Sequence, residues 1–232
     1  MALAPLLTEG QLDALRQFDT CMVANAVETF NLRLRNTGFT DASIFCMFED
    51  APPMVGYAAT ARLRSGAAPI VEGTFRDRGD FWNSILEIPS PRVLVLEDKD
   101  NPPGRGALIG DMHAAILKAL GCVGYLTNGA VRELPAVGAM GLQLFAGNVA
   151  VSHAYAHIFD LGAAVTVGGL EVRPGNLLHG DRHGVLTIPA EIADAIPRVA
   201  SELQTAERTV IDFCRSKEFS VAKLGEIMKS KG

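Results

Sequence analysis

Residues 93–126 read VLVLEDKDNPPGRGALIGDMHAAILKALGCVGYL. The stretch opens on Val93-Leu94-Val95-Leu96, a short continuous apolar run of the kind a strand buried on both faces requires. A polar loop rich in Pro and Gly comes next, at 97–106. Gly110-Asp111 then precede a helical run, 112–120, which stops at Gly121, the residue type that most easily takes the left-handed turn ending a helix. Val123-Gly124-Tyr125-Leu126 is a second short apolar run. Strand, helix and strand in this order make a βαβ unit, and such a unit implies parallel pairing.

The remaining sequence is consistent with that core. Thr8-Glu9-Gly10-Gln11 has the form of a capping box, and Leu12, Leu15 and Phe18 come after it at helical spacing, which predicts a helix there. A second helix is expected over 22–30. Alternation at Val55, Tyr57, Ala59, Ala61 and Leu63 predicts a strand. Residues 81–86 read as helix and 142–146 as a third short strand. From 165 to 188 the pattern is β, with turns at Gly168-Gly169, Pro174-Gly175 and 180–184. Residues 191–214 read as a long helix interrupted at Pro197, and 221–228 as a last one. No Pro-, Gly- or Ser-rich linker marks a boundary. The expectation is one α/β domain over residues 1–232, with a partly parallel sheet and a helical tail at 190–232.

Composition narrows the function classes. The 232 residues are 48% hydrophobic and 20% charged, a globular balance. At about 150 residues per domain, the length suits one large domain or two small ones. The net charge of −5, with no basic block, argues against binding nucleic acid through its phosphates. It leaves room for a basic cleft that holds one small anion. The start, MALAPLLTEGQ, lacks a basic stretch and an apolar stretch of signal-peptide form. The apolar region 142–170 is broken by Asn148, His153, His157 and Asp160, so no membrane span is expected. Cys21, Cys46, Cys122 and Cys214 are scattered, and the expectation is buried free thiols in a reducing cytoplasm.

Open α/β sheets bind ligands at the carboxyl ends of their strands. Three features fall there: Asp98 with its loop, Gly110-Asp111 at a helix start, and Asn128-Gly129-Ala130-Val131-Arg132-Glu133 at the exit of the second strand. A helix start offers free N–H groups and a partial positive charge; the amides of Met112 and His113 would face a carboxylate. Arg132 offers a planar fork for a carboxylate or an enolate. Asp111 and Glu133 are hard oxygen donors suited to Mg²⁺ or Mn²⁺. The plainer readings are that Asp111 only caps its helix and that Arg132-Glu133 is a solvated pair. His153 and His157, spaced i, i+4, are expected to share a helix face as a satisfied pair, with no third zinc ligand at a usual spacing. The turn His179–Gly184 reads as a hairpin. No G-x-S-x-G, Walker loop or G-x-G-x-x-G is present.

Taken together, Gly110-Asp111, Gly121-Cys122-Val123-Gly124, Asn128-Gly129-Ala130-Val131-Arg132-Glu133 and Pro174-Gly175-Asn176 with Asp181 and Gly184-Val185 resemble the RraA-like family. That family includes the class II 4-hydroxy-4-methyl-2-oxoglutarate / 4-carboxy-4-hydroxy-2-oxoadipate aldolases and the regulator of ribonuclease E activity A. Its members are often labelled demethylmenaquinone methyltransferases. The resemblance spans about 10–210 and is densest over 90–190. It implies an α/β/α domain assembled as a homotrimer or homohexamer, with sites at subunit interfaces and Mg²⁺ or Mn²⁺ as cofactor. Carried over by position, Glu133 would ligate the metal and Asp111 would contact it through water. Arg132 would bind the keto or enolate oxygen, while Gly110, Met112 and His113 would hold the pyruvyl carboxylate. Glu207, from a neighbouring subunit, would help hold metal waters.

The chemistry so implied is C–C cleavage of a pyruvyl-containing 2-keto acid through a stabilised enolate, either retro-aldol cleavage or decarboxylation of oxaloacetate. Two departures stand out. The aldolases carry Asp after the Arg where this chain has Glu133, and a displacement of about 1 Å can cost about a hundredfold in rate. His113 replaces an apolar residue, either contacting substrate or packing beside the site. The competing classes are another reaction on a keto or hydroxy acid (dehydration or hydrolysis) and a non-catalytic regulator that binds an RNA-degrading enzyme. The acid at 133 and the long tail at 191–230 favour the enzyme over the regulator.

Overall fold

Parallel pairing extends well beyond one βαβ unit. The computed structural model describes residues 6–69 and 78–229. Helices α1 (Glu9–Leu15) and α2 (Thr20–Glu28) open it, then β1 (Phe45–Cys46), β2 (Met54–Arg64), α3 (Arg78–Leu86) and β3 (Arg92–Asp98). Next come β4 (Ala107–Ile109), α4 (Asp111–Ala119), β5 (Cys122–Val131), α5 (Leu134–Ala139) and β6 (Gln143–Val149). Strands β7 (His157–Leu161), β8 (Val165–Val167), β9 (Leu170–Val172), β10 (Leu177–Asp181) and β11 (Gly184–Ile188) complete the β structure. A 3-10 turn at Ala190–Ile192 leads to α6 (Ile196–Arg215) and α7 (Val221–Lys229).

One mixed sheet runs in the order β1-β6-β5-β3-β2-β10-β11, with β4 beside β5 and β7 beside β2. Its centre, β2, β3, β5 and β6, is parallel. The flanking β1, β7, β10 and β11 are antiparallel to their neighbours. The class expected from sequence, α/β with a partly parallel sheet and C-terminal helices, is the class observed. Alternation along the central strands separates two apolar clusters. Tyr57, Ala59, Leu94, Leu96, Tyr125 and Leu144 join the cluster that the helices cover. Ala58, Val93, Val95, Leu126 and Phe145 join a second cluster, completed by the β8–β9 ribbon.

Several local expectations change. Asn128-Gly129-Ala130-Val131 do not leave the strand; β5 continues to Val131, with a register shift against β6 between Thr127 and Ala130. The Asn128 side chain accepts from the Asp98 amide and donates to its carbonyl. Gly147 meets Asn128 closely, since a Cβ there would lie 2.5 Å from the Asn128 carbonyl. The glycines therefore mark close backbone approach, not a turn. Pro197 begins α6 and does not interrupt it, because a first-turn position needs no N–H. His153 and His157 lie on no helix: one is in a loop and the other opens β7. Thr8 caps α1 with the reciprocal Gln11 contacts expected. Of the thiols, Cys122 is buried, which pushes it up to about 12, but Cys21 and Cys214 are exposed. Among the described residues, no helix is long and apolar enough to cross a membrane.

The hairpin β10–β11 is tied to the N-terminal helices by a buried imidazole. His179 Nε2 lies 3.2 Å from the Leu15 carbonyl and Nδ1 lies 3.0 Å from Thr20 Oγ1. A carbonyl only accepts, so Nε2 carries the proton and Nδ1 accepts from Thr20. Asp181 accepts from the Thr20 amide beside it. Burial holds the His179 ring below its ordinary titration range. The unfolded ring takes up a proton as pH falls below its usual value, whereas the folded ring does not. Stability from this group is therefore full above about pH 6.5 and declines below it. Urea midpoints measured between pH 7.5 and 5.5 should fall, and His179→Gln should flatten that fall while lowering stability at pH 7.5.

Candidate active site

The site is assembled by a strand that sequence periodicity does not reveal. β4 is three residues long and pairs in parallel with the end of β5, Ala107 against Ala130 and Ile109 against Val131. The Arg132 amide then donates to the Ile109 carbonyl at 3.1 Å. Parallel strands that stop in register deliver their next residues to the same place. Here Gly110-Asp111 and Arg132-Glu133 emerge side by side.

Gly110 is the N-cap of α4 and has no side chain to offer the helix. Glu133 supplies the missing acceptor: its Oε2 accepts from the Asp111 amide at 2.9 Å. Its Oε1 pairs with Arg132 Nη2. A Cβ at position 110 would lie 2.3 Å from Glu133 Oε2, so the carboxylate occupies space that only glycine leaves open. Glu133 sits at φ 57, left-handed, where a non-glycine residue is strained. That turn swings the chain from β5 into α5, and the Glu133 carbonyl accepts from the Ala136 and Val137 amides. The Asp111 amide first, then the Arg132 guanidinium, hold the Glu133 carboxyl below the usual carboxylate range.

A cavity of about 610 Å³ opens on this arrangement. Gly110, Asp111, Met112, His113, Arg132 and Glu133 all line it. The Met112 amide, expected to face a substrate carboxylate, donates instead to Asp111 Oδ1 at 2.6 Å. His113 is half-buried in the wall. Arg132 is the most telling member. While Nη2 is paired, its Nε is buried with no hydrogen-bond partner. A buried donor left unpaired costs free energy that an incoming oxygen would recover.

Asp98 is buried and does not line the cavity. It accepts from the Asp100 and Gly104 amides and shapes the loop after β3, while burial raises its carboxyl. Glu207 lies exposed on α6, also away from the cavity. Phe81, Trp82, Tyr155 and Ile158 line the cavity without any sequence signal that marks them for it, and His153 and His157 line it in place of sharing a helix face.

The donor set suits a divalent cation. Glu133 and Asp111 bring two carboxylates to one cavity. Each carboxylate has about four lone-pair sites, more than the bonds above use. Among the described residues, no three His, Cys, Asp or Glu form a group able to hold a metal. Two carboxylates fit Mg²⁺ or Mn²⁺, which keep several waters, and do not fit a closed structural zinc site.

Residues 20–187 match the family model RraA-like, described as Aldolase/RraA, and the chain belongs to that family. A protein of Halalkalibacterium halodurans named "Putative 4-hydroxy-4-methyl-2-oxoglutarate aldolase" is 24% identical over 212 residues, covering 89% of this chain and 92% of its own. An uncharacterized protein from Pseudomonas syringae pv. tomato superposes with a TM-score of 0.75 at 19% identity, over 99% of this chain and 97% of that one. RraAS2 of Streptomyces coelicolor, an unusual member of the RNase ES inhibitor RraA family, superposes at 0.68 and 18% identity, over 88% and 97%. The two structures share the fold.

The coupling of positions 110 and 133 is testable by thermal melts. Gly110→Ala should displace the Glu133 carboxylate and lower the melting temperature while keeping the circular dichroism spectrum. In a Glu133→Ala background the same change should cost much less, and strict additivity would separate the two residues.

Proposed function

We propose that this chain is a divalent-metal-dependent lyase that cleaves a C–C bond of a pyruvyl-containing 2-keto acid by way of an enolate. The bond is cleaved by retro-aldol reaction of a 4-hydroxy-2-oxo acid, with oxaloacetate decarboxylation as a side or main activity of the same site. The observation that carries the reading is one cavity lined by an arginine, Arg132, and by two carboxylates, Asp111 and Glu133. Family membership and the named relatives support it.

Arg132 would hold the keto oxygen and stabilise the negative charge that develops there as the bond breaks. Its Nη2 contact with Glu133 fixes the plane of the fork. Asp111, at the first turn of α4, would help accept the proton leaving the substrate hydroxyl, through a metal-held water beside it. Glu133 and Asp111 would hold Mg²⁺ or Mn²⁺, which when bound supplies Lewis acidity toward the keto acid. In a homotrimer or homohexamer, Glu207 of a neighbouring copy would complete the surroundings of that cation.

Oxaloacetate decarboxylation with Mg²⁺ or Mn²⁺, read as pyruvate release above a protein-free metal control, tests the reading. EDTA should abolish the excess. Arg132→Ala should cost about 10²–10³ in kcat, the usual effect of removing a charge-stabilising donor. Glu133→Ala should remove most turnover while the protein stays folded. Unchanged turnover in either variant would move the site elsewhere.

A further inference from the structure

Cleavage beside a keto group involves two protons. One leaves the substrate hydroxyl, on the side of Asp111 at the start of α4. The other arrives: the electron pair of the broken bond rests on the enolate, and C3 must take up a proton before the product is pyruvate. Either solvent supplies that proton or a group on the cavity wall does.

The turn between β6 and β7 brings such a group. His153, Ala154 and Tyr155 line the cavity from it. Within the turn, Ser152 Oγ accepts from the Ala154 amide at 3.0 Å and the His153 carbonyl accepts from the Ala156 amide at 2.9 Å. From outside, the Ala107 amide of β4 donates to the Ser152 carbonyl, and the Tyr155 amide donates to the Ser65 carbonyl. Ser65 is itself fixed: it is buried, its amide donates to Asp100 Oδ2, and its hydroxyl oxygen accepts from the Gly106 amide. Ala154 has φ 45, in the left-handed region, at a residue that is not glycine. Such strain persists only where the surroundings impose it, and it collects at functional sites.

His153 is the ring that this turn presents. His113 and His157 on the same wall are half-buried, whereas His153 is exposed. Its Nδ1 lies 3.1 Å from the Ala154 carbonyl. A carbonyl only accepts, so Nδ1 keeps its proton in the neutral ring and in the charged one, and Nε2 is the nitrogen that gains and loses a proton. A ring held at one nitrogen, and in reach of both water and the cavity, can take a proton from solvent and hand it to a bound molecule.

We propose that His153 is a catalytic acid that delivers a proton from Nε2 to C3 of the enolate. The proposal rests on the lyase reading above. The C3–C4 bond breaks and its electron pair passes to C3. The C4 hydroxyl loses its proton on the Asp111 side, and C4 becomes a carbonyl carbon. C3 takes the Nε2 proton, pyruvate forms, and the ring takes a proton back from water. With oxaloacetate the leaving group is carbon dioxide, and the step at C3 is the same. No oxidant or reductant is needed. Run backwards, the neutral ring removes a proton from the methyl group of pyruvate, so the same nitrogen governs exchange of that group with solvent.

Bond cleavage and proton transfer can be read separately on the full chain with Mg²⁺. Carbon dioxide release from oxaloacetate, above a protein-free metal control, reports the broken bond. Deuterium uptake from solvent into the methyl group of pyruvate reports transfer at C3. His153→Asn keeps an amide N–H for the Ala154 carbonyl but has no nitrogen that titrates. It should lower deuterium uptake about a hundredfold and carbon dioxide release by less than about tenfold. Pyruvate read with lactate dehydrogenase should then lag behind carbon dioxide, because the enol leaves before C3 is protonated; with the unchanged protein the two should appear together. His153→Gln should behave in the same way. Equal losses in the two assays, deuterium uptake that neither variant lowers, or carbon dioxide release by the unchanged protein without deuterium uptake would overturn the role of His153 alone. No carbon dioxide above the control from the unchanged protein would overturn the lyase reading and the acid with it.

Discussion

Three residues of parallel strand decide where everything else in the site stands. Ile109 opposite Val131 sets β4 against the end of β5, and both chains then run out of sheet together. That register fixes the start of α4 and the left-handed turn at Glu133. It fixes Gly110 too, because a side chain there would fill the space that the Glu133 carboxylate needs. Single backbone hydrogen bonds are worth about 0.5–1.5 kcal/mol each, so β4 would not persist alone. It persists because Ala107 and Ile109 are buried and because its neighbours use its remaining backbone groups.

The acid at 133 illustrates how one side chain serves two partners. Its carboxylate reaches the amide that begins α4 and the guanidinium beside it at the same time. The first amides of a helix have no partner within it. Glu133 thus acts for the helix and for the cavity together, and the same contacts keep its charge in place. Glu133 is therefore not idle in the fold. It is also the residue whose backbone carries the strain.

Legibility in the sequence depends on the length of each signal. Val93-Leu94-Val95-Leu96 and the run from Asp111 to Gly121 repeat long enough to show their period, and both elements lie where the sequence places them. Thr8 and Gln11 announce a helix start through their own side chains. β4 is too short for any period, and β7 mixes charge with apolar residues, so both stay hidden. Asn128-Gly129 and Pro197 mislead in a different way. Glycine, asparagine and proline read as punctuation, whereas their surroundings use a missing Cβ, a side-chain amide and a missing N–H inside regular elements. Local chemistry is enough to single out 110–113 and 132–133, which the fold brings to one cavity. It does not find Trp82, Tyr155 and Ile158, because only tertiary structure brings α3 and β7 to that cavity.

β4 also has a second edge. The Ala107 amide donates to the Ser152 carbonyl, and Gly106 lies so close to His153 that a Cβ there would stand 2.4 Å from its carbonyl oxygen. The segment carrying His153, Tyr155 and His157 therefore hangs from the strand whose other edge positions Arg132. One strand therefore joins two parts of the cavity wall, with the loop held on one edge and Arg132 on the other, as two fittings share one rail. Neither part of the wall shifts without moving the strand that the other part depends on.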